Sequence, residues 1–227
     1  MTSSETPTMM MDRLADAAWT QLAELSPRAM HIDDVAAEAG VPSAAARAVA
    51  GSMANLILHK LARLDRQAVL ETLADIEDAG DVPARDKIIE GLMHRFEVYA
   101  PYRRQMAQLE TAARRDPALG LRLIESLSQA MRMLLRMAGD DLAGVRGEAR
   151  VRGVAGVAMI VARVWQTDDT PDLSTTLKEI DRRLATAEEW GRTLRVLDSD
   201  PLHDGPMGAD PANPEDPLDG NPGGRYQ

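Results

Sequence analysis

The chain has 227 residues, enough for one or two domains with a buried core, and no cysteine, which excludes disulfides, thiolate catalysis and cysteine-ligated zinc. Hydrophobic residues make up 44% but aromatics only 3%, so the core must come from Leu, Ala, Val, Ile and 13 Met. That vocabulary favours helix over strand and predicts an all-α fold. Of the formal net charge of −10, residues 198–227 carry −6, seven acids against Arg225, so the remaining chain is close to balanced.

Residues 1–8 read as a short flexible leader. Helical periodicity begins near Met11 and continues with breaks to about Leu197, giving a head at 9–60 and a body at 61–197. The tail, 198–227, is acidic and rich in Pro and Gly, and it is expected to be disordered because it cannot bury enough apolar surface to offset chain entropy. A first helix spans 14–25 and ends at Ser26-Pro27. A second ends at Ala39-Gly40-Val41-Pro42, where Gly is a C-cap signal. Gly51-Ser52 separates a short third helix from a long fourth that runs to about Asp78. Pro101, Asp116-Pro117, the glycines at 139 and 144, and the stretch 167–171 divide the rest into about five more helices, nine in all. No run of about eighteen apolar residues occurs, and Met9, Met10 and Met11 are followed at once by Asp12 and Arg13, so neither a membrane span nor a signal peptide is expected. With no cysteine to protect, a cytoplasmic location and no integral membrane association follow as expectations.

The most informative stretch is IDDVAAEAGVPSAAARAVAGS, residues 32–52. Ile32, Val35, Ala36 and Ala39 share one helical face, Gly40 supplies a tight turn, Val41 returns to the core, and Ser43 is placed to cap the next short helix. Two short helices joined in this way make a helix-turn-helix. The pattern Val35-Ala36-x-x-Ala39-Gly40-Val41, followed by Leu56-Ile57, resembles the TetR family of transcriptional regulators. Where that family carries aromatics and a lysine on and after its recognition helix, this chain has Arg47, Val49, Ala50 and Met53. The resemblance implies a double-stranded-DNA contact through Arg28, Ser43, Arg47, Ser52, Asn55, His59 and Lys60. Residues 10–60 hold four Lys/Arg against six Asp/Glu, where a DNA-binding surface is usually basic.

The body offers a second resemblance. Trp165, the Asp168-Asp169-Thr170-Pro171-Asp172 run, Thr176 and Ile180-Asp181-Arg182-Arg183-Leu184 resemble the ending of the accessory lipid-binding family of coenzyme Q (ubiquinone) biosynthesis, which shares the TetR-like fold. The polar, aromatic segment associated with that family's lipid pocket has no counterpart at 140–154. By this resemblance the alternative function is lipid binding without DNA. On the residues alone, Asp172 can cap a helix, and Leu173, Leu177, Ile180 and Leu184 form an apolar stripe. With Val157, Val161 and Trp165 they are expected to build a four-helix homodimer interface, with Trp165 and Trp190 as buried anchors. A small hydrophobic or amphipathic ligand is expected against Met93, Phe96, Tyr99, Met106, Met133, Met137 and Met159, with Arg103, Arg104 or His94 meeting its polar group.

The four histidines, His31, His59, His94 and His203, form no pair at metal-ligand spacing, no phosphate loop follows a strand, and no serine is framed as a nucleophile. Asp168-Asp169 sits in a turn beside Pro171, which favours capping over acid–base chemistry. No enzyme, cofactor or metal is expected.

Overall fold

Buried apolar stripes on successive helices, each too narrow to hide alone, are what the chain assembles. The computed structural model describes residues 6–79 and 81–193; the expected tail and the first five residues of the leader lie outside them. Nine α-helices occur among the described residues, with one 3-10 turn at Ala100–Tyr102: α1 Pro7–Gln21, α2 Ile32–Ala39, α3 Ser43–Ala50, α4 Met53–Ala79, α5 Ala84–Tyr99, α6 Arg103–Arg115, α7 Pro117–Met137, α8 Gly144–Trp165 and α9 Ser174–Thr193.

α1 begins earlier and ends sooner than the periodicity suggests. Thr6 accepts a hydrogen bond from the Met9 N–H and Pro7 occupies the first turn, so Pro7 and Thr8 are helix rather than leader. The buried stripe Leu14, Ala15, Ala18, Trp19, Leu22 has no successor, because Leu25 is exposed, and turns carry the chain from there to α2.

Gly40 ends α2 at φ +62°, where a Cβ would meet the Arg13 guanidinium at 2.9 Å. Arg13 donates to the Ala39 carbonyl, and the Val41 N–H returns to Ala36 O at 2.9 Å. The turn therefore needs glycine for its backbone, and a Cβ there would also push the end of the Arg13 side chain aside. The expected Ser43 cap is not formed. Pro42 precedes α3 with φ −56°, Ser43 is already helical, and no side chain caps this helix. Val35, Ala36, Ala46, Leu56 and Ile57 are all buried, so the alanines do bring α2 and α3 close to α1 and α4.

α4 is 27 residues long, about 40 Å. Its first half packs on α1, and its length also packs on α5 and α7. α8 and α9 pair at the end of the chain, joined by a turn in which Leu173 adopts φ +50°. Before α8, Leu142 sits at φ +54°, and Gly147 is required beside it, since a Cβ there would lie 2.2 Å from the Leu142 carbonyl carbon.

Candidate nucleic-acid face, ligand cavity and subunit face

α3 lies uncovered on the outside of the head. Ala44, Arg47 and Ala48 are exposed, while Ala46 and Ala50 hold the helix to the core. Arg47 grips Asp33 of α2 with one Nη at 2.6 and 2.7 Å from the two carboxylate oxygens, an ion pair exposed on both sides. Asp34 and Glu38 are the other exposed charges of α2, so this face is acidic rather than basic.

Several residues expected to face DNA are occupied internally. His59 Nε2 is 2.7 Å from Asp12, and Lys60, 13% exposed, is 2.7 Å from Asp16, which Arg63 also meets at 3.0 Å. Burial would raise the Asp16 carboxyl, but hydrogen bonds and charge from Lys60 and Arg63 outweigh it and hold it below the ordinary value. Asn55 donates to Ala50 O at 3.0 Å and accepts from Arg122 of α7. The Ser52 hydroxyl accepts from the Asn55 N–H at 3.2 Å and caps α4. Arg28, in the turn after α1, pairs with Asp116 at 3.3 Å. Asn55, His59 and Lys60 are thus the joinery between head and α4. Of the expected contacts, Arg47 and part of Ser43 are the ones α3 itself presents to solvent.

The body holds a half-open cavity of about 470 Å³ between α4, α5, α6, α7 and α8. Its walls include Phe96, Tyr99, Met106, Leu109, Leu127 and Trp165, and Ile124 and Met159, about half exposed, stand at its edge. Phe96 and Trp165 stack at 5.5 Å between ring centroids. Of the eight expected ligand residues, Phe96, Tyr99, Met106 and Met159 line this space. Met93 is buried core, and Met133 and Met137 pack against that core away from the cavity. Arg103 turns elsewhere: it donates to Asp168 O at 2.7 Å and covers the Trp165 ring at 5.1 Å. Arg104 pairs with Glu24 at 2.8 Å, and His94 faces Asp75, so neither offers a head-group site here.

The cavity also contains a buried polar group that was not among the expected ligand residues as a set. Arg95 Nε donates to Asp65 at 2.8 Å, the Tyr99 hydroxyl donates to the same oxygen at 3.0 Å, and the guanidinium lies 4.6 Å from the Tyr99 ring centre. All three line the cavity. Burial, and then the adjacent Asp65 carboxylate, push the Tyr99 hydroxyl well above its ordinary range, so it stays a donor. Burial opposes the Arg95 charge, but the attraction of Asp65 outweighs it. The indole N–H of Trp165 has no hydrogen-bond partner among the described residues. The sequence signal is legible afterwards: Asp65 interrupts the stripe Leu61, Leu64, Ala68, and Arg95 interrupts Leu92, Phe96, Tyr99.

Six of the seven expected subunit-contact residues are core. Val157, Val161, Trp165, Leu173, Ile180 and Leu184 are at most 7% exposed within the chain, and only Leu177 reaches the surface. The stripe is apolar as expected, but it serves the packing of α8 and α9 within the chain. The outward face of α8 is instead Gly153, Gly156 and Ile160, with nothing within 4 Å of a Cβ placed at either glycine. Trp190, expected as a buried anchor, is 65% exposed on α9 and anchors no core among the described residues.

The architecture has solved counterparts. A TetR transcriptional regulator from Nitrosomonas europaea ATCC 19718 superposes with a TM-score of 0.61 over 79% of this chain and 98% of its own, at 18% identity. A tetR-family transcriptional regulator from Streptomyces coelicolor does so with a TM-score of 0.54, over 88% and 92%, at 19% identity. The chain has the TetR-type fold. No family model matches the sequence, and no curated protein sequence is similar to it.

Within this TetR-type fold the segment 165–184 has a plain structural use. Asp168 accepts from the hydroxyl and N–H of Thr170 at 2.6 and 3.1 Å, and from the hydroxyl and N–H of Thr176 at 2.7 and 2.8 Å. Burial would raise its carboxyl, yet these four donors hold it far below the usual carboxylate range. Asp172, expected to cap α9, lies one position before its N-cap and accepts only from the Ser174 N–H at 3.2 Å; the Thr176 N–H inside the first turn is met by Asp168 instead. The run is thus a device for turning α8 into α9. Among the described residues no helix is long and apolar enough to cross a membrane.

Proposed function

We propose that the protein is a homodimeric TetR-type transcriptional regulator whose body takes up a small, mainly apolar ligand with one polar group. The observation that carries this reading is that α3 is left bare on a head welded to α4, while α4 also walls the cavity. The exposed Ala44 and Ala48 suit apolar contact with thymine methyl groups. Arg47 can exchange Asp33 for a DNA phosphate at little cost, because a solvent-exposed ion pair is worth only about 0–1 kcal/mol. In the cavity, Arg95 and Trp165 supply donors to one polar group of the ligand, and the apolar walls hold the remainder. Two subunits would meet across Gly153, Gly156 and Ile160, where the missing side chains let helices approach closely.

The test is a mobility shift with the DNA upstream of the protein's own coding sequence, at low salt. A retarded band is expected, lost in Arg47→Ala and released by the cognate ligand. A second reading is favoured by one observation, the acidic face of α2 beside α3: a helical lipid-binding protein that no longer reads DNA. No shift at low salt, with a hydrophobic molecule retained in native mass spectrometry, would replace the first reading with the second.

A further inference from the structure

We propose that Asp75 of α4 with Glu90 and His94 of α5 forms a binding site for a divalent first-row cation such as Zn²⁺, pinning the body end of α4 to α5. Each residue offers one ligand atom, and the three atoms lie within 4.8 Å of one another. His94 Nε2 is 3.1 Å from Asp75 Oδ2 and 3.8 Å from Glu90 Oε1. Ligand atoms at about 2.0–2.2 Å from a tetrahedral ion stand about 3.4 Å apart, so a small turn of the two exposed carboxylates completes the set.

Two further observations point to a cation. The first fixes the ring. The Thr72 hydroxyl has a single hydrogen and donates it to Ala68 O at 2.8 Å, so in its 3.0 Å contact with His94 Nδ1 the Thr72 oxygen accepts. In the neutral imidazole the hydrogen therefore sits on Nδ1, which leaves Nε2 to coordinate a cation beside the two carboxylates. A metal-binding histidine is characteristically held this way, its far nitrogen donating to a group outside the ligand set. The second concerns charge. Other carboxylates that bridge helices are met by Arg or Lys: Asp16 by Lys60, Asp65 by Arg95, Glu148 by Arg132. Among the described residues no Arg or Lys pairs with Asp75 or Glu90; both face only the imidazole. One His and two carboxylates leave positions open to water, and the donor set suits Zn²⁺ or its first-row neighbours better than Ca²⁺. The site does not depend on whether the head reads DNA.

The test is titration of the full chain, stripped with chelator, with Zn²⁺ by calorimetry and with Co²⁺ by visible absorption. One equivalent per chain is expected, with a rise in Tm on loading. Asp75→Asn and Glu90→Gln change exposed groups and are expected to fold as the parent does, yet to weaken Zn²⁺ at least about ten-fold and abolish the Tm rise. His94→Gln is expected to remove the Co²⁺ spectrum. Two outcomes overturn the proposal: no binding of either ion, which leaves an imidazolium paired with two carboxylates, or binding that persists in Asp75→Asn and Glu90→Gln, which moves it to other histidines.

Discussion

At the scale of single residues, Asp168 does most to shape the end of the chain. One carboxylate gathers four donors from Thr170 and Thr176 and lets Leu173 take its left-handed conformation. Asp168→Asn is expected to cost about 2 kcal/mol, since a charged acceptor gives way to a neutral amide that must also present donors to donors. For a chain of this size that lowers Tm by about 4–8 °C. Because the folded carboxyl titrates well below its unfolded value of about 3.9, its contribution is complete above about pH 4 and is lost as the pH falls further. The gap in Tm between parent and variant should therefore narrow on acidification below pH 4. A gap that stays constant down to pH 2 would show that the charge is not what stabilises the turn. The sequence announced the Asp168-Asp169 pair as capping carboxylates through their place in a turn beside Pro171. It did not announce Ser43 as uncapped, because the choice between Pro42 and Ser43 as the last non-helical residue depends on how the preceding turn enters.

At the scale of helices, α4 and α5 are joined by a charge buried in an apolar seam. Asp65→Asn leaves Arg95 without its counter-charge in the interior and is expected to cost about 3–5 kcal/mol in urea unfolding, with the m value unchanged. Removing both charges in Asp65→Leu/Arg95→Met should recover much of that loss. A double variant no better than the single would mean that the pair itself is strongly stabilising. The helices were readable from periodicity and from Gly, Pro and Asp at their ends, including Gly40 at its positive φ. Their partners were not. A stripe such as Val157, Val161, Ile180 and Leu184 is the same in sequence whether it faces its own subunit or another, and only the packing of α8 on α9 shows that these residues are core. The cavity follows the same rule: Phe96 and Met106 line it and Met93 does not, a difference of helix rotation that composition cannot carry.

At the scale of the molecule, the expectation of an all-α TetR-like architecture holds in the superpositions, and the proposed dimer would use the outward Gly153, Gly156 and Ile160 of α8. Ile160→Glu is expected to convert a dimer into particles of 24.7 kDa in sedimentation velocity, with the helix content of the chain retained. A parent that already sediments at that mass would refute the dimer. α4 then acquires a mechanical meaning. It is one unbroken rod, bolted to α1 by Lys60 and Arg63 at one end and braced by α5 at the other. A tilt of about 5° around the body end would swing a tip about 40 Å away by about 3.5 Å, enough to spoil the spacing of a matched pair of heads. On the proposed reading, a ligand filling the space beside Arg95 need only press gently on this lever.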